Sequence, residues 1–426
     1  MKQNKTMAIA ALLASLLAMH VSAQAGQKTW VSLDEHGLAL LKQIDAGTKA
    51  HASVQSFQAP QLAAANGANK QSQSLHLIEV DEDKLAQLTQ ALHASQNRCV
   101  GFIGHKSKED GLATLKAFSQ PFAPLATVTK PTYKISNQSI VTPMLAQMQA
   151  TNIGQTIVDL SSNTNRDYKT QYGVAASNWL KNRWLTLGKG RTDFTVEQFT
   201  HANFPMKSVI ATIKGTDKAA EVIVLSAHLD SINARDSSEA NRAPGADDDA
   251  SGVASITEVL RVMAATGYKP RRTIKFMAYS GEERGLLGSQ DIANSYKAQG
   301  INMVGMMQLD MTEYKGSSKD MYIFDDMTNA AQNTFVANII KTYLPTMTVG
   351  HDVCGYACSD HASWYRNGYV ASQVHEASFS ADNKQLHTPN DTYAYLQNKA
   401  TNSLKFARMT AAYAVELGSE GAVVAK

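Results

Sequence analysis

Between Ser226 and Ser289 the chain places three polar clusters at the ends of apolar runs, and this placement restricts the fold more than any other feature. The strand-like run Val222–Ser226 leads into Ala227-His-Leu-Asp230, and Pro244–Gly252 carries three consecutive aspartates ahead of the helix-like Ser251–Thr266. A second strand-like run, Thr273–Ala278, leads into Ser280-Gly-Glu-Glu-Arg284. Carboxylates and an imidazole set out in this way gather beyond the ends of neighbouring strands. The alternation continues on both sides. Helix-like pieces fall near Ser139–Asp159, Gln171–Leu187, Arg284–Lys297, Asn329–Tyr343, Asp360–Asn367 and Gln397–Gly418, and further strands near Val209–Lys214, Val304–Leu309, Met321–Phe324 and Val370–Val374. Such alternation predicts an α/β fold with a mixed, mainly parallel central sheet flanked by helices on both faces.

The chain before Tyr133 reads differently. Lys2 and Lys5 precede an apolar run from Met7 to about Met19 and small residues at Ala23 and Ala25, the pattern of a signal peptide over residues 1–23. That run is shorter than the ~20 residues of a membrane span. Residues 24–51 read as one helix-like piece and 58–74, rich in Ala, Gln, Asn and Ser, as a tether. A strand at Leu75–Val80, a helix at Asp81–Ser95 and a strand at Cys99–Ile103 outline a small α/β unit. Pro121, Pro124 and Pro131 then mark a linker. The expected organisation is a leader, an N-terminal pro-region with its tether over 24–130, and a main domain over 131–426. The alternative for 24–130 is a permanent accessory domain.

With 40 Lys and Arg against 37 Asp and Glu in 426 residues, the formal charge is only +3, and no basic patch interleaved with aromatics argues for nucleic acid. Cys354 and Cys358, two of only three cysteines, could close a small disulfide loop in an oxidising compartment. A regular helix would hold them too far apart, and Gly355 eases the non-helical path. A zinc-binding role for the pair lacks a second Cys or His pair nearby. Cys99 is left without a partner.

His228, Asp247–Asp249, Glu282, Glu283, Asp310 and His387 all fall just after strands or at loop ends. Hard oxygens with two imidazoles suit a pair of zinc ions better than calcium, and a pair needs a carboxylate that bridges it. Taken singly, each cluster has a plainer reading: a hydrogen-bonded histidine, an N-cap or solvated turn, glutamates on a helix face. Their joint placement favours the metal site.

At these residues the chain resembles the secreted bacterial leucyl aminopeptidases of the di-zinc exopeptidase family. The likeness spans roughly Tyr133 to Ala414 and is densest at Ala227–Asp230, Gly245–Gly252, Gly281–Ile292, Leu309–Met311, Cys354–Trp364 and the closing His387-Thr-Pro-Asn-Asp391. The resemblance implies that Asp248 bridges two zinc ions, with Glu283 and His387 on one and His228 and Asp310 on the other. It also implies that Glu282 is the general base, that Asp230 fixes the tautomer of His228, and that a cis peptide joins Asp248 to Asp249. Peptide or protein N-termini would be the substrate, without nucleic acid or membrane. Ile78-Glu-Val-Asp-Glu-Asp83 and Arg98-Cys-Val-Gly-Phe102 resemble the family's N-terminal extension, which restrains activity until an activating protease removes it. The expected location is outside the cytoplasm.

In that family the substrate side chain enters a pocket lined by apolar residues and by the disulfide loop. Met311, Phe324, Tyr356, Phe379 and the Cys354/Cys358 pair fit this pattern. Gln373, His375 and Asp382 depart from it, and a carboxylate at the pocket mouth opens a preference for Lys or Arg beside one for Leu; the plainer reading sets Asp382 on a solvated loop. The rivals are a di-zinc carboxypeptidase or dipeptidase, which needs a cationic clamp for the substrate carboxylate, and a non-catalytic peptide-binding relative, which would have lost ligands. Gly-x-Ser-x-Gly and His-Glu-x-x-His are both missing from the sequence, which disfavours serine hydrolases and single-zinc endopeptidases.

Overall fold

The computed structural model describes residues 28–56, 74–96, 101–236 and 238–420. The expected leader, nearly all of the tether and Cys99 lie outside these residues. Among the described residues no helix is long and apolar enough to cross a membrane.

The main sheet has eight strands: β5 (Phe194–Phe199), β6 (Ser208–Ile213), β7 (Lys218–His228), β8 (Arg272–Tyr279), β9 (Asn302–Leu309), β10 (Met321–Phe324), β11 (Val349–Asp352) and β12 (Ala371–His375). Their order is β11-β10-β12-β9-β7-β8-β6-β5. The middle of the sheet, β12-β9-β7-β8, is parallel throughout, β5 and β6 join their neighbours antiparallel, and β10 runs antiparallel to β12 but parallel to β11. The expected mixed, mainly parallel sheet is therefore present, and its registers align the carboxyl ends that matter: His228 lies opposite Tyr279, and Ser226 and Gln373 both lie opposite Gln308.

Strand periodicity divides the core between two faces. Ile223, Leu225 and Ala227 of β7, with Ile274, Phe276 and Ala278 of β8, point into the larger core. Val222 and Val224, with Met277 and Tyr279, point into the smaller one. The larger core is closed by α5 (Ala150–Ser161), α7 (Ala250–Ala265) and α11 (Thr401–Gly418); α7 is buried nearly all round. The smaller is closed by α8 (Leu287–Ala298) and α10 (His361–Arg366), whose Trp364 is fully buried. The remaining helices of this part are α4 (Gln138–Leu145), α6 (Gln171–Leu187) and α9 (Ala330–Tyr343). The expected single piece Ser139–Asp159 is thus two helices; the chain breaks where the Gln149 amide turns to donate to Glu258, 2.8 Å away. β5 and β11 carried no strong sequence signal because they are half-exposed edges.

The N-terminal unit is a separate antiparallel sheet of order β2-β3-β1-β4, formed by β1 (Lys28–Asp34), β2 (Ala50–Gln55), β3 (Ser74–Asp81) and β4 (Phe102–His105). It carries α1 (Glu35–Ile44), α2 (Glu82–Gln96) and α3 (Lys108–Phe118). The helix expected over 24–51 is corrected. Trp30, Val31 and Leu33 lie in a strand between β3 and β4, and the helix starts only after Asp34, whose carboxylate caps it by accepting from Gly37 N at 2.8 Å. One face of this sheet buries its own core of Val31, Leu33, Leu41, Ile78 and Leu88. On another side Leu75, Leu77, Ile103, Leu115 and Phe118 form one apolar cluster with Leu286, Ala357 and Ala362 of the main unit.

Candidate metal centre

β7 delivers His228 at its last residue and β9 delivers Asp310 one residue beyond its end. The loop before α7 brings Asp247–Asp249, and a single 3-10 turn, Glu282–Arg284, follows β8. That turn is bracketed by Gly281 and Gly285 at φ 72° and 100°, left-handed backbone that glycine adopts at little cost. His387 arrives from the loop beyond β12.

The three aspartates divide sharply. Asp247 accepts from the amides of Glu313 and Tyr314 at 3.1 and 3.2 Å and from Asn383 Nδ2 at 3.0 Å. Asp249 caps α7 through Gly252 N at 2.9 Å and accepts from Met311 N and His228 N, each at 3.1 Å. Only Asp248 turns both oxygens inward: Oδ1 lies 2.8 Å from His228 Nε2 and Oδ2 lies 3.2 Å from His387 Nε2. Beyond them, Asp310 Oδ1 is 3.5 Å from His228 Nε2, and Glu283 Oε2 is 2.7 Å from His387 Nε2. Asp248 therefore stands between two donor groups. The Asp248–Asp249 peptide bond is cis, as the resemblance implied.

These atoms fit cations better than they fit one another. Among the described residues, His228 Nε2, both Asp248 oxygens, Asp310 Oδ1 and His387 Nε2 are buried without an aligned hydrogen-bond partner, despite their proximity. Buried polar atoms left in this state are costly unless something else satisfies them. Two sets of ligating atoms lie within 4.8 Å of one another, His228/Asp248/Glu283 and His228/Asp249/Asp310. In the second set the Asp249 oxygens already serve three backbone amides, which makes Asp249 the weaker ligand.

The electrostatics agree. Burial would raise the Asp248 carboxyl, yet the adjacent imidazoles of His228 and His387 hold it below its ordinary range. Burial pushes Glu282 well above its ordinary value, and Asp360, Glu283 and Asp310 add to this against the pull of His228. His387 is raised to about 10 because Glu283 and Asp248 outweigh the opposing effect of burial. His387 thus holds a proton, and Asp248 a negative charge, where a cation would lie.

Asp230 does more than the sequence implied. The ring Nδ1 of His228 donates to its main-chain oxygen at 3.1 Å, while the Asp230 carboxylate, 3.8 Å from that nitrogen, accepts from the amides of Glu282 and Glu283 at 3.1 and 3.2 Å. Its carbonyl sets the imidazole, and its carboxylate sets the turn.

The candidate pocket residues gather on one side. Phe324, Tyr356 and the bonded pair Cys354–Cys358 form a buried cluster against Phe379, and Met311 follows Asp310 with a left-handed backbone. Gly355 is left-handed as well, and Gln373 lies 3.9 Å from Cys358 Sγ. Asp382 needs correction. It is 5% exposed, and its Oδ1 lies 2.8 Å from His375 Nε2, while His375 Nδ1 donates to Asp310 O at 2.7 Å. Asp382 is therefore neither on a solvated loop nor a free counter-charge for a Lys or Arg substrate, because an imidazole raised to about 9 by it already occupies it.

Three supports were missed in the sequence. Arg166 is fully buried and donates to the carbonyls of Leu229, Pro244 and Gly245, placing a cation behind the acidic loop. Asp391 accepts from the amides of Asp247 and Asp248. Asp326 accepts from Cys354 N and Gly355 N at 3.1 and 2.7 Å and so holds the disulfide loop. Asp391 closes a quoted motif, and Asp326 sits in an acidic doublet after β10; Arg166 gave no signal, because nothing in Asn-Arg-Asp tells burial from exposure.

Residues 208–413 match Peptidase family M28. Leucine aminopeptidase 1 of Arthroderma otae is 39% identical over 297 residues, 66% of this chain and 78% of that protein. A probable leucine aminopeptidase 1 of Trichophyton verrucosum is 37% identical over 310 residues, 68% and 81% of the two chains. Among solved structures, the LapA aminopeptidase of Legionella pneumophila superposes with a TM-score of 0.77 at 27% identity, covering 93% of this chain and 99% of that one. This share is too large for residues 131–426 alone, so the likeness extends into the four-stranded unit. On this sequence similarity, the chain belongs to peptidase family M28.

Proposed function

We propose that the protein is a two-zinc aminopeptidase that removes the N-terminal residue from peptides. The observation that carries the proposal is the division of the three aspartates, which leaves Asp248 alone facing both imidazoles. Glu283, His387 and Asp248 would hold one cation, and His228, Asp310 and Asp248 the other; mixed oxygen and nitrogen donors suit zinc. When bound, such a pair supplies an acidified water and a polarised scissile carbonyl. Glu282, buried in the turn beside these ligands, takes the proton from the attacking water and returns it to the departing amine. Asp230 keeps Glu282 and Glu283 in place through their amides. The apolar cluster of Phe324, Tyr356 and the disulfide loop receives the substrate side chain and excludes water. Because His375 already engages Asp382, Leu-like residues fit this pocket better than Lys or Arg.

The names of the relatives at 39 and 37% identity support this activity. The N-terminal features form a second part of the proposal. Residues 1–23 direct export, and residues 24–130 cover the site until a protease cuts the mostly exposed, proline-marked run that follows α3. The test is hydrolysis of amino-acid p-nitroanilides by processed protein, with and without chelator, beside Glu282→Gln. Release from unblocked amides only, lost with chelator and lost in a variant that still binds zinc, is the expected result. Zinc-loaded protein that cleaves no free-amine substrate would overturn the proposal.

A further inference from the structure

The four-stranded unit contacts the metal centre at three places. Gly104 N donates to Gly285 O at 3.0 Å, and Gln290 Nε2 donates to both Gly104 O and Gly285 O, so β4 is fastened to the end of the turn that carries Glu282 and Glu283. Leu75, Ile103 and Phe118 pack with Leu286 and with Ala357 of the disulfide loop. The third contact comes from α2, whose His93 ring lies over His387 with centroids 5.6 Å apart and planes inclined at 36°. His93 is 9% exposed, and its Nδ1 has no hydrogen-bond partner among the described residues.

A buried imidazole nitrogen without a partner is unfavourable unless a proton donor, acceptor or metal ion completes it. Two imidazoles bound to one tetrahedral ion at about 2.0–2.1 Å place their ring centroids roughly 5–5.5 Å apart. The separation seen here is close to that. We propose that in the intact chain His93 supplies an additional nitrogen donor to the cation held by His387, Glu283 and Asp248. The N-terminal unit would then close the centre by ligation as well as by covering it. The inference rests on the reading of the site as a metal centre and adds a ligand from outside the main unit. Removal of the unit withdraws the imidazole and opens the coordination position that a substrate needs.

The test uses the intact chain loaded with cobalt in place of zinc, because the visible absorption of cobalt reports its ligand set. His93→Phe keeps a ring over His387 but offers no nitrogen; His93→Ala removes both. The expected result is that both variants shift the visible band relative to the unaltered intact chain and lose the cation to a chelator about tenfold faster or more. Two bound cations with an unchanged band and unchanged loss in His93→Phe would overturn the proposal and leave the metal-centre reading standing. An intact chain that binds no cobalt in any form would overturn both.

Discussion

Three adjacent aspartates with one chemistry and three surroundings give the residue-scale account its sharpest test. Asp248→Asn is expected to abolish zinc binding and amide hydrolysis while leaving the fold intact, since this side chain supports no backbone amide. Asp249→Ala should act on stability first: it removes a helix cap and leaves the buried amides of Met311 and His228 without acceptors, a loss of about 3 kcal/mol in chemical unfolding. Equal stability losses in the two variants would contradict this division. At the pocket, Asp382→Asn should leave a low Arg-to-Leu hydrolysis ratio low; a high ratio that collapses in the variant would restore a direct contact between Asp382 and cationic substrates. The sequence was legible wherever a residue type and its position after a strand coincided, as at His228, Glu283 and Asp310. It could not reveal that Asp382 is paired with His375, because the two meet through a loop whose path no local pattern encodes.

At the scale of elements, the parallel core strands were legible because burial on both faces gives continuous apolar runs, as in β7 and β9. Elements failed where tertiary contacts decide. β1 looks helical in isolation and becomes a strand because β3 and β4 flank it; the half-exposed edges β5 and β11 have only weak periodicity. The close approach of β4 to the Glu282 turn depends on glycine at both sides. A Cβ at Gly104 would meet Leu287 at 2.8 Å and the Arg284 carbonyl at 3.2 Å, and one at Gly285 would meet Gly104 N at 2.3 Å. Gly104→Val should therefore loosen the N-terminal unit and, if that unit covers the site as proposed, raise the activity of the intact chain. A Gly104→Val chain whose unit is released, as judged by limited proteolysis, and whose activity stays at the level of the unaltered intact chain would show that this unit does not cover the site.

For the molecule as a whole, the site gathers more buried carboxylates than its imidazoles and Arg166 balance, so folding and metal binding should be coupled. Stripping the cations is expected to lower the thermal midpoint of the processed protein, and restoring zinc should recover it. A midpoint indifferent to chelator would mean that the cluster satisfies itself with protons alone. The most direct measurement of the central claim is anomalous diffraction at the zinc edge from crystals of the processed protein. Two peaks about 3.5–4 Å apart, one on each side of the Asp248 carboxylate, are what the geometry predicts. A single peak, or a peak held by Asp249 in place of Asp248, would contradict it.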